Sequence, residues 1–312
     1  MRKYPAYTIT LLLFLLVLLP RENFGYARGA FRQPAPYGDS IIGKDAVPVL
    51  VSAQFSFTEG AAVDRQGNVF FTDQPNNRIW KYSTDGKLSV FLEPAGRSNG
   101  MYFDKKGNLV SCADEHEEMW SISPKGKVKV LIKEYQGKHL NGPNDLWIDN
   151  QGGIYFTDPY YQRDWWERKA PEITGEKVYY LPKGKQEPVP VAEDLLKPNG
   201  IVGTPDGQAL YVADIKANKT YKYHIMPGGM LADKQLFVNQ GSDGMTLDNH
   251  GNVYLTGNGV TVYNPQGEKI LHIPVPAKWT ANICFGGKDK SVLFITASES
   301  LFILPTLVKG VE

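Results

Sequence analysis

The chain has 312 residues, with 34 Lys and Arg against 33 Asp and Glu, a formal charge of +1. That balance, with no basic run along the mature chain, argues against a nucleic acid or an anionic membrane as partner. The two cysteines, Cys112 and Cys284, both sit in strand-like apolar runs, which predicts two buried free thiols rather than a disulfide.

In chain order, Arg2 and Lys3 precede an apolar run from Ile9 to Leu19, broken only by Thr10. Gly25-Tyr26-Ala27 then supplies small residues at both cleavage-specifying positions. The run is too short to span a bilayer, and the order of charge, apolar core and small residues is that of a secretory signal. Residues 1–27 are therefore predicted as a signal peptide, with an uncleaved membrane anchor as the alternative. Export to the periplasm or medium follows, without stable membrane association after cleavage. Losing the segment takes the net charge from +1 to −1. Residues 28–46 read as an N-terminal extension.

From there on helical periodicity is nearly absent. Short runs of Val, Ile, Tyr, Phe and Trp alternate with Gly, Pro, Asn and Asp, which predicts an all-β protein. One unit recurs six times: EGAAVDRQGNVFFTD from Glu59, NGMYFDKKGNLVSCAD from Asn99, NDLWIDNQGGIYFTD from Asn144, NGIVGTPDGQALYVAD from Asn199, DGMTLDNHGNVYLTG from Asp243 and NICFGGKDKSVLFITA from Asn282. Counting the leading residue as zero, position +5 is Asp in four copies and position +8 is Gly in five. Asp caps the turn through its side chain and Gly takes a positive φ. The starts lie 40, 45, 55, 44 and 39 residues apart, a period that signals a β-propeller. Two further strands per unit, such as Ile79 to Tyr82 and Leu88 to Leu92, give a six-bladed β-propeller with four-stranded blades around a central channel, over 47–312. The segment Val47 to Ser56 is expected to close the ring against the last blade, removing an exposed sheet edge.

The first strand of each blade lines the channel, so equivalent positions form a ring. That ring reads Glu59, Asn99, Asn144, Asn199, Asp243 and Asn282, and each carries a side-chain oxygen. Singly, each Asn-Gly or Asp-Gly would be a turn former; six in register make a donor set. Two carboxylates and several amide oxygens, without His or Cys, favour one hard divalent cation. Ca²⁺, which accepts six to eight oxygens in adaptable geometry, suits a channel better than Mg²⁺, and Mn²⁺ or Zn²⁺ are less suited by ligand type.

The string NGPNDLWIDNQGGIYFTDPYY, with TEG at 58–60, KPNG at 197–200 and SDGM at 242–245, resembles the family of gluconolactonases, senescence marker protein (regucalcin) and luciferin-regenerating enzyme. The similarity runs from about Ser56 to Leu304. It implies a six-bladed propeller that binds one divalent cation in its channel and hydrolyses sugar lactones. The metal ligands it implies are Glu59, Asn144, Asn199 and Asp243. CADEHEEMW at 112–120 is similar to the bacterial branch, although Ala113 and Asp114 intervene where Cys-Glu-His is contiguous there. The animal branch carries an arginine where this chain has Gly142, so the contacts to the sugar must differ.

Loops between the second and third strands share a face with the ring. His116 occupies that loop in blade two. In blade three the loop is the longest insertion, Pro159 to Glu176, and its Tyr160, Tyr161, Trp165 and Trp166 either stack on a sugar ring from a mobile flap or only pack the loop down. His139, His250 and His272 lie in turns or outer strands and read as structural. The cation would polarise the lactone carbonyl while water attacks. Asp243 is the expected general base, because its copy alone sets a carboxylate beside a second polar group, Ser242; Glu59 competes for the role. Asn99, His116 and Asn141 are the expected substrate contacts. The alternatives are hydrolysis of phosphotriesters or other esters at a related calcium site, and a non-catalytic binding propeller held together by calcium. The oligomeric state is not legible.

Overall fold

The computed structural model describes Met1 and residues 40–312. The expected signal segment and most of the extension lie outside the described residues. Among those described, six antiparallel sheets of four strands each make the six blades, and no helix is long and apolar enough to cross a membrane. The innermost strands are Thr58–Val63, Ser98–Phe103, Leu146–Ile148, Pro198–Gly203, Met245–Leu247 and Thr280–Gly286. Five blades take their strands consecutively. The sixth takes three from the C-terminal part and a fourth from Val49–Ser52, which pairs with Ser300–Pro305. This is the expected ring closure. Residues before 47 join it too: Ile41 is buried against Tyr254 and Phe285, and Ile42 bridges to Thr306.

The turn chemistry follows the repeat. Asp64 Oδ1 accepts from the amides of Gln66 and Asn68, and Asp104, Asp149 and Asp248 do the same in their blades. Gly67, at φ +87°, completes the first of these turns. The aspartates that end the second strands have a separate purpose. Asp73 accepts from the amides of Ser56 and Phe57, Asp158 from those of Asn141 and Gly142, and Asp214 from those of Leu196 and Lys197. Each carboxylate thereby fixes the connector entering its own blade. The preceding threonine reaches the next blade: Thr72 Oγ1 donates to Asn99 O and Thr157 Oγ1 to Asn199 O. The channel-lining backbone is tied blade to blade through these hydroxyls.

The apolar core lies between blades. Strands such as Val69–Asp73 and Val253–Gly257 are buried along their whole length, because both faces of an inner strand meet a neighbouring sheet. Trp147 and Tyr155 of blade three pack with Ile201, Leu210 and Val212 of blade four in one such layer. Outer strands such as Leu88–Leu92 are partly exposed. Cys112 and Cys284 are buried and free, as expected.

The glycine that follows four of the ring residues, Glu59, Asn99, Asn199 and Asp243, is explained by blade packing rather than by a turn. A Cβ on Gly60 would lie 1.9 Å from Asn99 O, and one on Gly100 would lie 2.4 Å from Asp145 Oδ1. Gly100 N in turn donates to Asn144 O at 2.7 Å. Adjacent inner strands approach so closely here that no side chain fits. The ladder is interrupted at the same place, between Glu59 and Ala62, between Ser98 and Met101, and between Pro198 and Ile201. In blades three and five the strand begins only at Leu146 and Met245. A bulged or unpaired strand start re-aims its side chain, and Glu59, Asn99, Asn144, Asn199 and Asp243 each sit at one, whereas Asn282 is in register with Thr296.

Candidate active site

At the ring end of the channel lies a cavity of about 280 Å³. Glu59, Asn99, Asn144, Asn199 and Asp243 all line it. Asn282, the sixth ring position, does not. Its Oδ1 accepts from the amide of Ile283, and its amide group packs where a Cβ on Gly244 would be.

Two of the expected substrate contacts lie elsewhere. His116 is exposed on the turn after Leu109–Ala113 and is not among the cavity residues. Asp114, two residues earlier, is buried and accepts from Gln74 and Arg163, which do line the cavity. Asn141 is buried, but its Nδ2 donates to the carbonyls of Asp158 and Gly175, so it staples the long loop to its strand instead of facing the cavity. Ser242 is also committed elsewhere: its hydroxyl donates to Gly244 O and accepts from the amide of Thr256. It holds the strand start and does not serve Asp243.

Asp243 has a different partner. Trp279, on the connector between blades five and six, donates its indole N–H to Asp243 Oδ2 at 2.6 Å. Burial lifts the Asp243 carboxyl to about 6, against the lowering contributions of Trp279, Asn199 and the Arg163 charge. Burial also raises Glu59 well above the usual carboxylate range, and the negative charge of Asp243 adds to it. Two carboxylates that resist joint ionisation in one cavity are a place for a cation. Asn199 supports the same fit: its Nδ2 donates to Tyr161 OH, while its Oδ1 is buried without a hydrogen-bond partner. The side-chain amides of Asn99 and Asn144 make no hydrogen bond to other described residues. Among the described residues no three His, Cys, Asp or Glu gather as a metal cluster. A set of two carboxylates and two amides falls outside that pattern and retains the chemistry of a hard-cation site.

The long loop of blade three is pinned down rather than free. Arg168 Nε pairs with Glu117 at 3.0 Å, Trp166 Nε1 donates to Asp114 O, and Lys197 Nζ donates to Tyr160 O. Trp166 is buried, and a Cβ on Gly142 would strike it at 2.7 Å. The space beside Gly142 is therefore filled by the loop. Of the loop aromatics only Tyr161 lines the cavity, and with it comes Arg163. Trp165 and Trp166 pack against arginines instead.

Residues 57–299 match the family model described as the SMP-30/Gluconolactonase/LRE-like region. A gluconolactonase of Zymomonas mobilis is 28% identical over 318 residues, covering 92% of this chain and 88% of its own. The structure of a gluconolactonase from Xanthomonas campestris superposes with a TM-score of 0.79 at 29% identity, covering 86% of this chain and 91% of that one. Regucalcin from Agrobacterium tumefaciens, described as a calcium-binding protein, shares the fold with a TM-score of 0.71 at 20% identity, covering 85% and 95% of the two chains.

Proposed function

The chain belongs to the SMP-30/gluconolactonase/LRE-like family and is a lactonase, and we propose that it is exported, uses one divalent cation and opens sugar lactones. The observation that carries this reading is the meeting of Glu59, Asn144, Asn199 and Asp243 in one cavity, with a buried amide oxygen left unpartnered. A cation held by these four residues, for which Ca²⁺ is the best match to the donors, would act as a Lewis acid toward the lactone carbonyl.

The protein's own groups account for the rest of the reaction. Trp279 fixes the rotation of the Asp243 carboxylate through Oδ2. Asp243 takes a proton from the attacking water, and that proton passes to the ring oxygen as the C–O bond breaks. A carboxylate that also binds a cation is a weak base, which suffices for an ester already activated by its ring. Tyr161 and Trp279 wall the cavity with aromatic surface, and its volume suits one sugar ring rather than an oligosaccharide. The exported location rests on the N-terminal pattern of residues 1–27.

The test is hydrolysis of glucono-1,5-lactone by the mature protein, followed as acid release. EDTA should abolish turnover and calcium restore it. Full activity after the ion has been stripped would defeat the mechanism.

A further inference from the structure

Among the described residues, Arg163 is the one basic side chain lining the cavity. Its Nε donates to Asp114 Oδ2 at 2.6 Å, and the same buried oxygen accepts from Gln74 Nε2 at 3.0 Å. The guanidinium lies 5.6 Å from the ring centres of both Tyr161 and Trp165. Neither of its terminal nitrogens donates to a described residue. Arg168, five residues on, is used differently: Nε pairs with Glu117 and Nη2 donates to the carbonyls of Leu140 and Asn141. Arg168 and Trp166 already hold the loop down, so anchoring does not account for Arg163. A guanidinium fixed by its Nε and by flanking rings keeps its two-pronged end free for an oxyanion.

The other charged groups of the cavity do not occupy that end. The ionisable acids and bases lining the cavity, tyrosine apart, are Glu59, Asp243 and Arg163. Two carboxylates match one divalent cation and Asp114 balances Arg163 through Nε, so the unpartnered terminal nitrogens of Arg163 are the donors left for a further anion. We infer that Arg163 is a specificity residue that receives an acidic substituent of the substrate, a carboxylate, sulfonate or phosphate remote from the reacting carbonyl. Anionic sugar lactones are then preferred over neutral ones. This rests on the lactonase reading for its substrate class, while the subsite itself is testable by binding alone.

The experiment titrates the mature, calcium-loaded protein with D-gluconate and with 6-phospho-D-gluconate, by calorimetry and tryptophan fluorescence. A charge-assisted pair predicts that the phosphorylated acid binds about ten- to a hundredfold tighter. Arg163→Gln should bring the ratio of the two affinities close to one, with Arg163→Lys in between, while the melting temperature shows each variant folded. Equal affinity for the two acids, no measurable binding of the phosphorylated one, or a ratio that survives Arg163→Gln overturns the subsite. A preference that is present and lost in Arg163→Gln upholds it even if no lactone is hydrolysed, in which case the lactonase reading fails alone.

Discussion

Trp279 reaches 2.6 Å from its indole nitrogen to Asp243 Oδ2, joining the connector between blades five and six to the inner strand of blade five. A donor on a carboxylate stabilises its charged form and lowers its pKa. In Trp279→Phe that donor is gone, so Asp243 becomes more basic. The acidic limb of the kcat–pH profile should move to higher pH. Trp279 is 38% exposed, so the melting temperature should change little. A profile that stays in place removes Trp279 from the account of the base.

Asp243→Asn keeps a cation ligand and removes the proton acceptor. Turnover should fall by about 10²- to 10⁴-fold with metal still bound. Glu59→Gln should instead weaken cation affinity, and activity should return at high calcium. Metal content and rate measured together separate the two variants. Unchanged turnover in metal-loaded Asp243→Asn would assign the base elsewhere.

Cation removal should lower stability, because Glu59 and Asp243 then face each other uncompensated. The melting temperature should rise with calcium concentration, as for any ligand bound only by the folded state. Asn199→Leu, which removes the unpartnered oxygen, should flatten that dependence. A calcium response equal to the parent's would take Asn199 out of the ligand set.

Asp158 supplies a pH prediction away from the cavity. Burial raises it to about 7, against lowering by the amides of Asn141 and Gly142 and by Arg168. Its folded pKa lies above the unfolded value of about 3.9, so between those values the folded protein holds the extra proton. Stability from this group is therefore highest below pH 4, declines as pH rises to 7, and is level above. The slope is at most one proton, about 1.4 kcal/mol per pH unit. Denaturant unfolding from pH 4 to 8 should show a shallower decline in Asp158→Asn than in the parent.

One glycine beside the ring and one turn glycine allow a controlled comparison. Gly60→Ala adds a Cβ that would meet Asn99 O at 1.9 Å, at φ +44°. Gly107→Ala, at φ +82°, meets nothing within 4 Å. The second should cost only the backbone strain, about 1 kcal/mol. The first should cost several kcal/mol, since one blade must move against the next. Similar urea midpoints for the two would contradict the close approach of blades one and two.

Much of this molecule could be read from its sequence because a repeat imposes translation. Residues at the same point in successive units arrive at the same radius and height in a closed ring, so Glu59, Asn99, Asn144, Asn199 and Asp243 could be grouped without coordinates. The Asp-x-x-Gly turns are local chemistry and needed no tertiary context. Asn282 shares the register and is lost from the cavity because its side chain is drawn to the amide of Ile283. Non-periodic residues had no such guide. Arg163 and Trp279 lie on connectors of unequal length, where sequence distance says nothing about where a side chain ends. His116 and Asn141 are polar residues near the ring ends of their strands, yet one turn directs the first to solvent and hydrogen bonds hold the second inside the loop. Sequence alone determined the number of blades and five of the oxygen-bearing residues that line the cavity, because period and pairing are short-range. Only the folded ring decided which loop residues reach that axis, because contacts between blades depend on the packing of segments far apart in the chain.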